Sequence, residues 1–162
     1  MSDSTDVASL RRLLQTCRRI AVVGVSNDWN RPSHFVAKYL IEHGYTMIPV
    51  NPKYPQVLGR PCYPDLASAS SAAGPIDLVD CFRRASDLEP IARDAVTIAA
   101  RCLWMQLGLV NETAAALARA GGLEVVMDRC VKIEHARLFG GLGWAGVNTG
   151  IVSSRRPRQL PY

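Results

Sequence analysis

Five short apolar runs, most of them followed by a helical pattern, constrain this chain more than any other feature. They are "IAVVGV" (20–25), "YTMIPV" (45–50), "IDLVDCF" (76–82), "CLWMQLG" (102–108, strand plus turn) and "LEVVMD" (123–128). Each is too short for a helix, rich in branched or aromatic residues, and closes on a loop, so each predicts a buried strand. Between them, "SHFVAKYLIEHG" (33–44) places Val36, Ala37, Leu40 and Ile41 on one helical face and stops at Gly44. Ser86 and Glu89 have the spacing of a capping box for a helix reaching about Ala100, with Pro90 in its first turn. Asn111 caps another helix, which ends at Gly121-Gly122. Asp6 to Arg19 reads as an amphipathic helix with Leu10, Leu13, Leu14 and Cys17 on its stripe.

Strands that alternate with helices need right-handed crossovers and give a parallel sheet covered on both faces. The expected fold is therefore α/β, a Rossmann-like doubly wound parallel sheet of about five main strands in a single domain. The stretch 51–66 holds four prolines and reads as an extended loop. "ASASSAAG", which follows, fits a loop or a weak helix. Residues 1–17 carry the N-terminal helix and 136–162 a glycine-rich, then basic, tail.

Composition narrows the classes. With 162 residues, 48% hydrophobic and 20% charged, the chain suits one globular domain. No apolar stretch approaches the ~20 residues that span a bilayer. "MSDSTDVASLRRLLQTCRR" opens polar and acidic, unlike a signal peptide. Five cysteines at 17, 62, 81, 102 and 130 show no CxxC spacing and fit reduced thiols in the cytoplasm. The three histidines form no metal-ligand pattern, so no metal is expected. Net charge is +5, and the tail from Ala136 holds Arg137, Arg155, Arg156 and Arg158 without an acid. Nucleic-acid binding is not favoured, because no aromatic residues interleave with this charge.

In doubly wound sheets, ligands bind beyond the carboxyl ends of the strands at the topological switch point. The first such end, Gly24 to Ser33, has a single glycine where a dinucleotide turn has three. Ser26, Asn27, Arg31 and Ser33 can donate in place of the missing amides, and Pro32 stiffens the entry to a helix whose N-terminus suits a phosphate. The plain alternative is a long loop with Ser33 as N-cap. The second end carries Asn51, Pro52 and Lys53, and no acid lies between His43 and Pro64. An NAD site needs an acid here for the ribose hydroxyls. A lysine points instead to a ribose phosphate, as in NADP or coenzyme A. Phe82, Arg83 and Arg84 offer an aromatic ring and two cations at the third end, although Phe82 also suits the core. Gln106 and Gly108 are the contact candidates at the fourth, where Trp104 suits the core. At the fifth, Cys130 follows Arg129, a cation able to lower its pKa, and a buried structural thiol is the plainer reading.

Taken together, "IAVVGVSNDWNRPSHFVAKYLIEHGY", "IPVNPKYPQVLGRPCYPDL", "DLVDCFRR" and "WMQLGLVNETAAALARAGGLEVVMDRCVKIEH" resemble the CoA-binding domain family. The likeness is to its small stand-alone bacterial members, a group similar to the N-terminal domain of the succinyl-CoA synthetase α subunit. It runs in order over residues 18–135. The resemblance implies coenzyme A lying across the strand ends. Gly24, Ser26 and Arg31 to Ser33 would hold the pyrophosphate, and Asn51, Pro52 and Lys53 the adenosine phosphate. Phe82 and Arg83 would border the adenine. Gln106 and Gly108 would line the pantetheine path, with Cys130 a possible neighbour of the CoA thiol. No catalytic residue is expected: the chain has no P-loop, no ATP-grasp-sized domain and no histidine at a strand end. The expected function is non-catalytic binding of CoA or acyl-CoA by a sensor, carrier or accessory subunit, with homodimerisation as the default assembly. The alternatives are an NADP-dependent oxidoreductase or the accessory half of a CoA ligase.

Overall fold

The computed structural model describes residues 5–140. Helix α1 (Val7–Thr16) starts at Asp6, whose carboxylate accepts the Ser9 amide at 2.9 Å, and ends at Cys17. It stops earlier than the expected Arg19, because Arg19 already belongs to β1 (Arg19–Val23). Then follow α2 (Pro32–Glu42), β2 (Thr46–Val50), a two-residue pair β3 (Gln56–Val57) and β4 (Arg60–Pro61), and α3 (Leu66–Ala73). The second half comprises β5 (Leu78–Cys81), α4 (Leu88–Thr97), β6 (Cys102–Met105), α5 (Glu112–Ala120), β7 (Glu124–Val126) and α6 (Val131–Phe139).

The main sheet is parallel, in the order β2-β1-β5-β6-β7. The chain builds outward from β1 to β2, then returns to β5 on the other side of β1. The switch point therefore lies between β1 and β5, where a ligand crevice is expected. Side chains alternate along each strand and feed two cores. Ala21, Ile48, Val79, Leu103 and Val125 pack with α3, α4 and α5. Ile20, Val22, Met47, Leu78 and Trp104 pack with α1, α2 and α6. Burial on both faces is why all five strands read as continuous apolar runs.

Three local features differ from expectation. The proline-rich stretch is not simply extended: β3 and β4 pair antiparallel around Leu58 (φ +51°) and Gly59 (φ +75°). Positive φ at both central residues is the signature of a tight two-residue hairpin, and glycine adopts it without steric cost. The Ser86–Glu89 capping box does not form, because a 3₁₀ turn (Ala85–Asp87) precedes α4 and Asp87 occupies the cap position with no side-chain cap bond. Finally, α6 runs through residues 131–139, across the expected start of the tail at 136. The "LFGGLGWAGVNTG" and arginine segments lie, from residue 141 on, outside the described residues.

Candidate functional site

Beyond Gly24, the loop after β1 contains no glycine, because side chains do the work of backbone turns. The Ser26 amide donates to Ser33 Oγ, and the Asp28 amide to Ser26 Oγ, each at 3.0 Å. Asn30 donates its amide to Asp28 Oδ1, and His34 Nδ1 donates to the Ser26 carbonyl, each at 2.9 Å. Helix α2 begins at Pro32 with Arg31 in extended conformation at the cap, so Ser33 is not its N-cap. Ser33 sits inside the first turn, buried, and braces the loop instead. Asn27 reaches sideways and donates to the Gln56 carbonyl at 3.1 Å, tying the loop to the hairpin.

Gly24 has φ +85°, and a Cβ there would lie 2.3 Å from the Phe82 carbonyl oxygen and 2.8 Å from Arg83 Cδ. The glycine is thus demanded by the close approach of the β5 end. That same approach brings Phe82 and Arg83 against the loop.

At the β2 end, Asn51 is a strut. It is 7% exposed, donates Nδ2 to the Val25 carbonyl at 2.9 Å and accepts the Lys53 amide on Oδ1 at 2.9 Å. Its own amide donates to the Tyr63 carbonyl at 2.8 Å. One buried side chain therefore sets both the β1 loop and the backbone that carries Lys53.

These elements enclose a cleft of about 800 Å³ lined by Gly24, Ser26, Arg31, Ser33, Lys53 and Arg83, with Pro32, Asn51, Tyr54, Phe82, Arg84 and Asp87 completing its walls. The lining carries four cations against one acid. That acid, Asp87, places Oδ2 3.3 Å from Arg83 Nη2 and 3.4 Å from Arg84 Nε. Arg31 and Lys53 have no acid partner among the described residues. A smaller cleft of about 280 Å³ opens between the β2 and β5 ends and α4, against Val50, Pro52, Leu66 and Ile91. It shares Gly24, Arg83 and Asp87 with the larger one.

Gln106, Gly108 and Cys130 line neither cleft. Gln106 is buried and donates Nε2 to Asp80 Oδ1. Asp80 itself is fully buried in β5, and its Oδ2 has no hydrogen-bond partner among the described residues. Burial pushes its carboxyl up to about 8, against the partial relief of the Gln106 bond. Gly108 donates its amide to Asp128 Oδ1 at 2.6 Å, which ties the loop after β6 to the loop after β7. Cys130 caps α6, and burial raises its thiol pKa despite the neighbouring Lys132. The activating effect of a nearby cation is therefore not what dominates there. Trp104 is fully buried, and its Nε1 donates to the Arg129 carbonyl at 2.7 Å.

The structure thus gathers Gly24, Ser26, Arg31, Pro32, Ser33, Asn51, Lys53, Phe82 and Arg83 around one cleft, with Pro52 in its smaller neighbour and Asn27 bonded to the hairpin. The sequence reading did not include Tyr54 or Asp87 among the site residues. Tyr54 follows Lys53 directly, and Asp87 lies between Ser86 and Glu89, the two residues of the expected capping box. Among the described residues, no group of three or more His, Cys, Asp or Glu side chains is placed to hold a metal ion. No helix there is long and apolar enough to cross a membrane.

Comparison with known proteins finds relatives that share the fold over most of the chain. The chain is 40% identical over 129 residues to the uncharacterized protein YneT of Bacillus subtilis, covering 80% of this chain and 93% of that one. A solved structure of a hypothetical protein from Pyrococcus horikoshii superposes with a TM-score of 0.80 at 35% identity, over 86% of this chain and 98% of that one. The redesigned protein Prb, described as PH1109 redesigned for binding, gives a TM-score of 0.81 at 36% identity, over 86% and 96% of the two chains. The pattern of the CoA binding domain matches residues 18–136, and the chain belongs to that family.

Proposed function

We propose that this protein binds coenzyme A or an acyl-CoA across the carboxyl ends of β1, β2 and β5, without catalysis of its own, as a sensor, carrier or accessory subunit. The observation that carries the reading is the cleft at the switch point, with four cations facing one acid in a member of the CoA binding domain family. Coenzyme A brings a pyrophosphate and a 3′-phosphate, the most highly charged parts of the molecule. Its volume demand falls within the ~300–1,000 Å³ of ordinary ligand clefts. In this reading Arg31 and the Ser33 end of α2 take the pyrophosphate. Lys53 takes the ribose phosphate, and the adenine enters the smaller cleft beside Arg83. The pantetheine arm continues toward Gln106 and Gly108, with Cys130 beyond. A cytoplasmic homodimer is the default assembly, and size-exclusion chromatography with light scattering tests it.

Isothermal titration with CoA, dephospho-CoA, NADP and NAD tests the binding. Binding of CoA well ahead of NAD and dephospho-CoA is expected, and equal, weak binding of all four would refute the reading. NADP stronger than CoA would favour an oxidoreductase. Lys53→Ala should narrow the gap between CoA and dephospho-CoA by about 1–2 kcal/mol, the scale of a hydrogen bond to a charged group. An unchanged gap would remove Lys53 from the ribose phosphate.

A further inference from the structure

The geometry points to Asp87 as a stand-in for the ligand's phosphate. In the free protein its carboxylate holds the guanidiniums of Arg83 and Arg84, and ligand binding transfers them from carboxylate to phosphate. This inference rests on the proposed binding of CoA and assigns the site a residue that opposes the ligand until it arrives.

Among the described residues, the Asp87 side chain has no bond other than those to the two arginines. It stands at the cap position of α4 but makes no side-chain cap bond there. Instead a single oxygen, Oδ2, faces both arginines, at 3.3 and 3.4 Å. Those separations exceed the roughly 2.7–2.9 Å of a tight charge-assisted bond. Both pairs are loose, and one oxygen cannot satisfy two planar guanidiniums. A phosphate dianion can, because its oxygens match the guanidinium fork in pairs.

Position matters as much as charge. The Arg83 stem passes directly over Gly24, where a Cβ would meet its Cδ at 2.8 Å. Arg83, Asp87 and Gly24 line both clefts, so this ion pair stands on the boundary between them. Drawing Arg83 away from Asp87 toward a phosphate removes the partition and joins the clefts into one groove that crosses the switch point. Arg31 and Lys53, which have no acid partner among the described residues, are available for first capture. Arg83 and Arg84 close on the ligand afterwards.

The test is a double-mutant cycle read by calorimetric titration with CoA, using the wild type, Asp87→Asn, the pair Arg83→Ala with Arg84→Ala, and all three together. Asp87→Asn should tighten CoA binding by about three- to tenfold, the worth of two exposed ion pairs no longer broken. The double-arginine variant should bind at least about tenfold more weakly. In that background Asp87→Asn should change affinity by less than about twofold, because the interaction is gone. Weaker binding by Asp87→Asn would overturn the inference and make Asp87 an aid to the arginines. Tightening that persists without the arginines would also overturn it, reducing the effect to relief of charge repulsion. A wild-type protein that binds neither CoA nor inorganic pyrophosphate would instead refute the binding itself.

Discussion

Replacing Asp80 by asparagine should make the protein more stable at neutral and mildly alkaline pH. Asp80 is fully buried between Val22 of β1 and Trp104 of β6, and among the described residues its side chain is hydrogen-bonded only to Gln106. Its carboxyl is raised to about 8 from an ordinary 3.8, with burial as the cause. Below pH 3.8 both the folded and the unfolded chain hold the proton, and the buried acid carries no charge penalty. As pH rises toward 8 the unfolded chain releases the proton while the folded chain keeps it. Each pH unit then removes a little over ~1 kcal/mol of stability. The full window amounts to about 6 kcal/mol, a large fraction of the ~5–15 kcal/mol of a typical domain. Asparagine keeps an oxygen for Gln106 and does not ionise. The difference in unfolding free energy between Asp80→Asn and wild type should therefore grow steadily from pH 5 to pH 8, in favour of the variant. Urea denaturation at pH 5, 6, 7 and 8, followed by tryptophan fluorescence, measures this difference, and contributions from other groups cancel. A difference that stays constant within ~0.5 kcal/mol over those three units would refute the assignment of a neutral Asp80 at pH 7.

Other substitutions probe the scaffold of the site. Gly24→Ala should cost about 3 kcal/mol, from ~1–2 for the left-handed backbone and ~1–3 for the clash with the Phe82 carbonyl. A calorimetric melt should then show Tm lower by roughly 6–12 °C. Glu134 is 1% exposed and pairs with Arg137 at 2.6 Å and Arg129 at 3.4 Å. Glu134→Gln should therefore cost about 1–2 kcal/mol in denaturant unfolding, since it weakens two charged hydrogen bonds whose arginines, 37% and 20% exposed, can still be solvated. Asn51→Ala removes the bonds to Val25 and Lys53, and it should weaken CoA binding at least about fivefold in titration without deleting a charge.

The strands were legible because each is covered on both faces, so burial leaves an unbroken apolar run. Helix α6 was not, because its inward face carries Glu134 and His135 beside Val131 and so hides the helical period. The β3–β4 hairpin was hidden by prolines and by a leucine in the left-handed turn, a residue that does not announce such a conformation. In the site, strand-end logic located the loops but not the direction of each polar bond. Ser33 and Asn51 look like ligand donors in a sequence, whereas their bonds run to the protein's own backbone. The expected Ser86–Glu89 capping box likewise drew attention past Asp87, whose side chain faces the arginines three and four residues before it.

The borders of the main sheet carry a consequence for assembly. On one side, β2 is followed outward by the Tyr63 backbone, which bridges Val50, and β2 itself contains Pro49, which lacks a donor. On the other, β7 is only three residues long, and its first residue, Glu124, is gripped by Arg12 from α1 at 2.6 Å. Neither border offers the long row of unpaired amides on which a neighbouring chain can template itself. Among the described residues, growth by adding strand to strand is therefore discouraged at both ends of the sheet, which leaves helices and loops as the surfaces open to a copy or a partner.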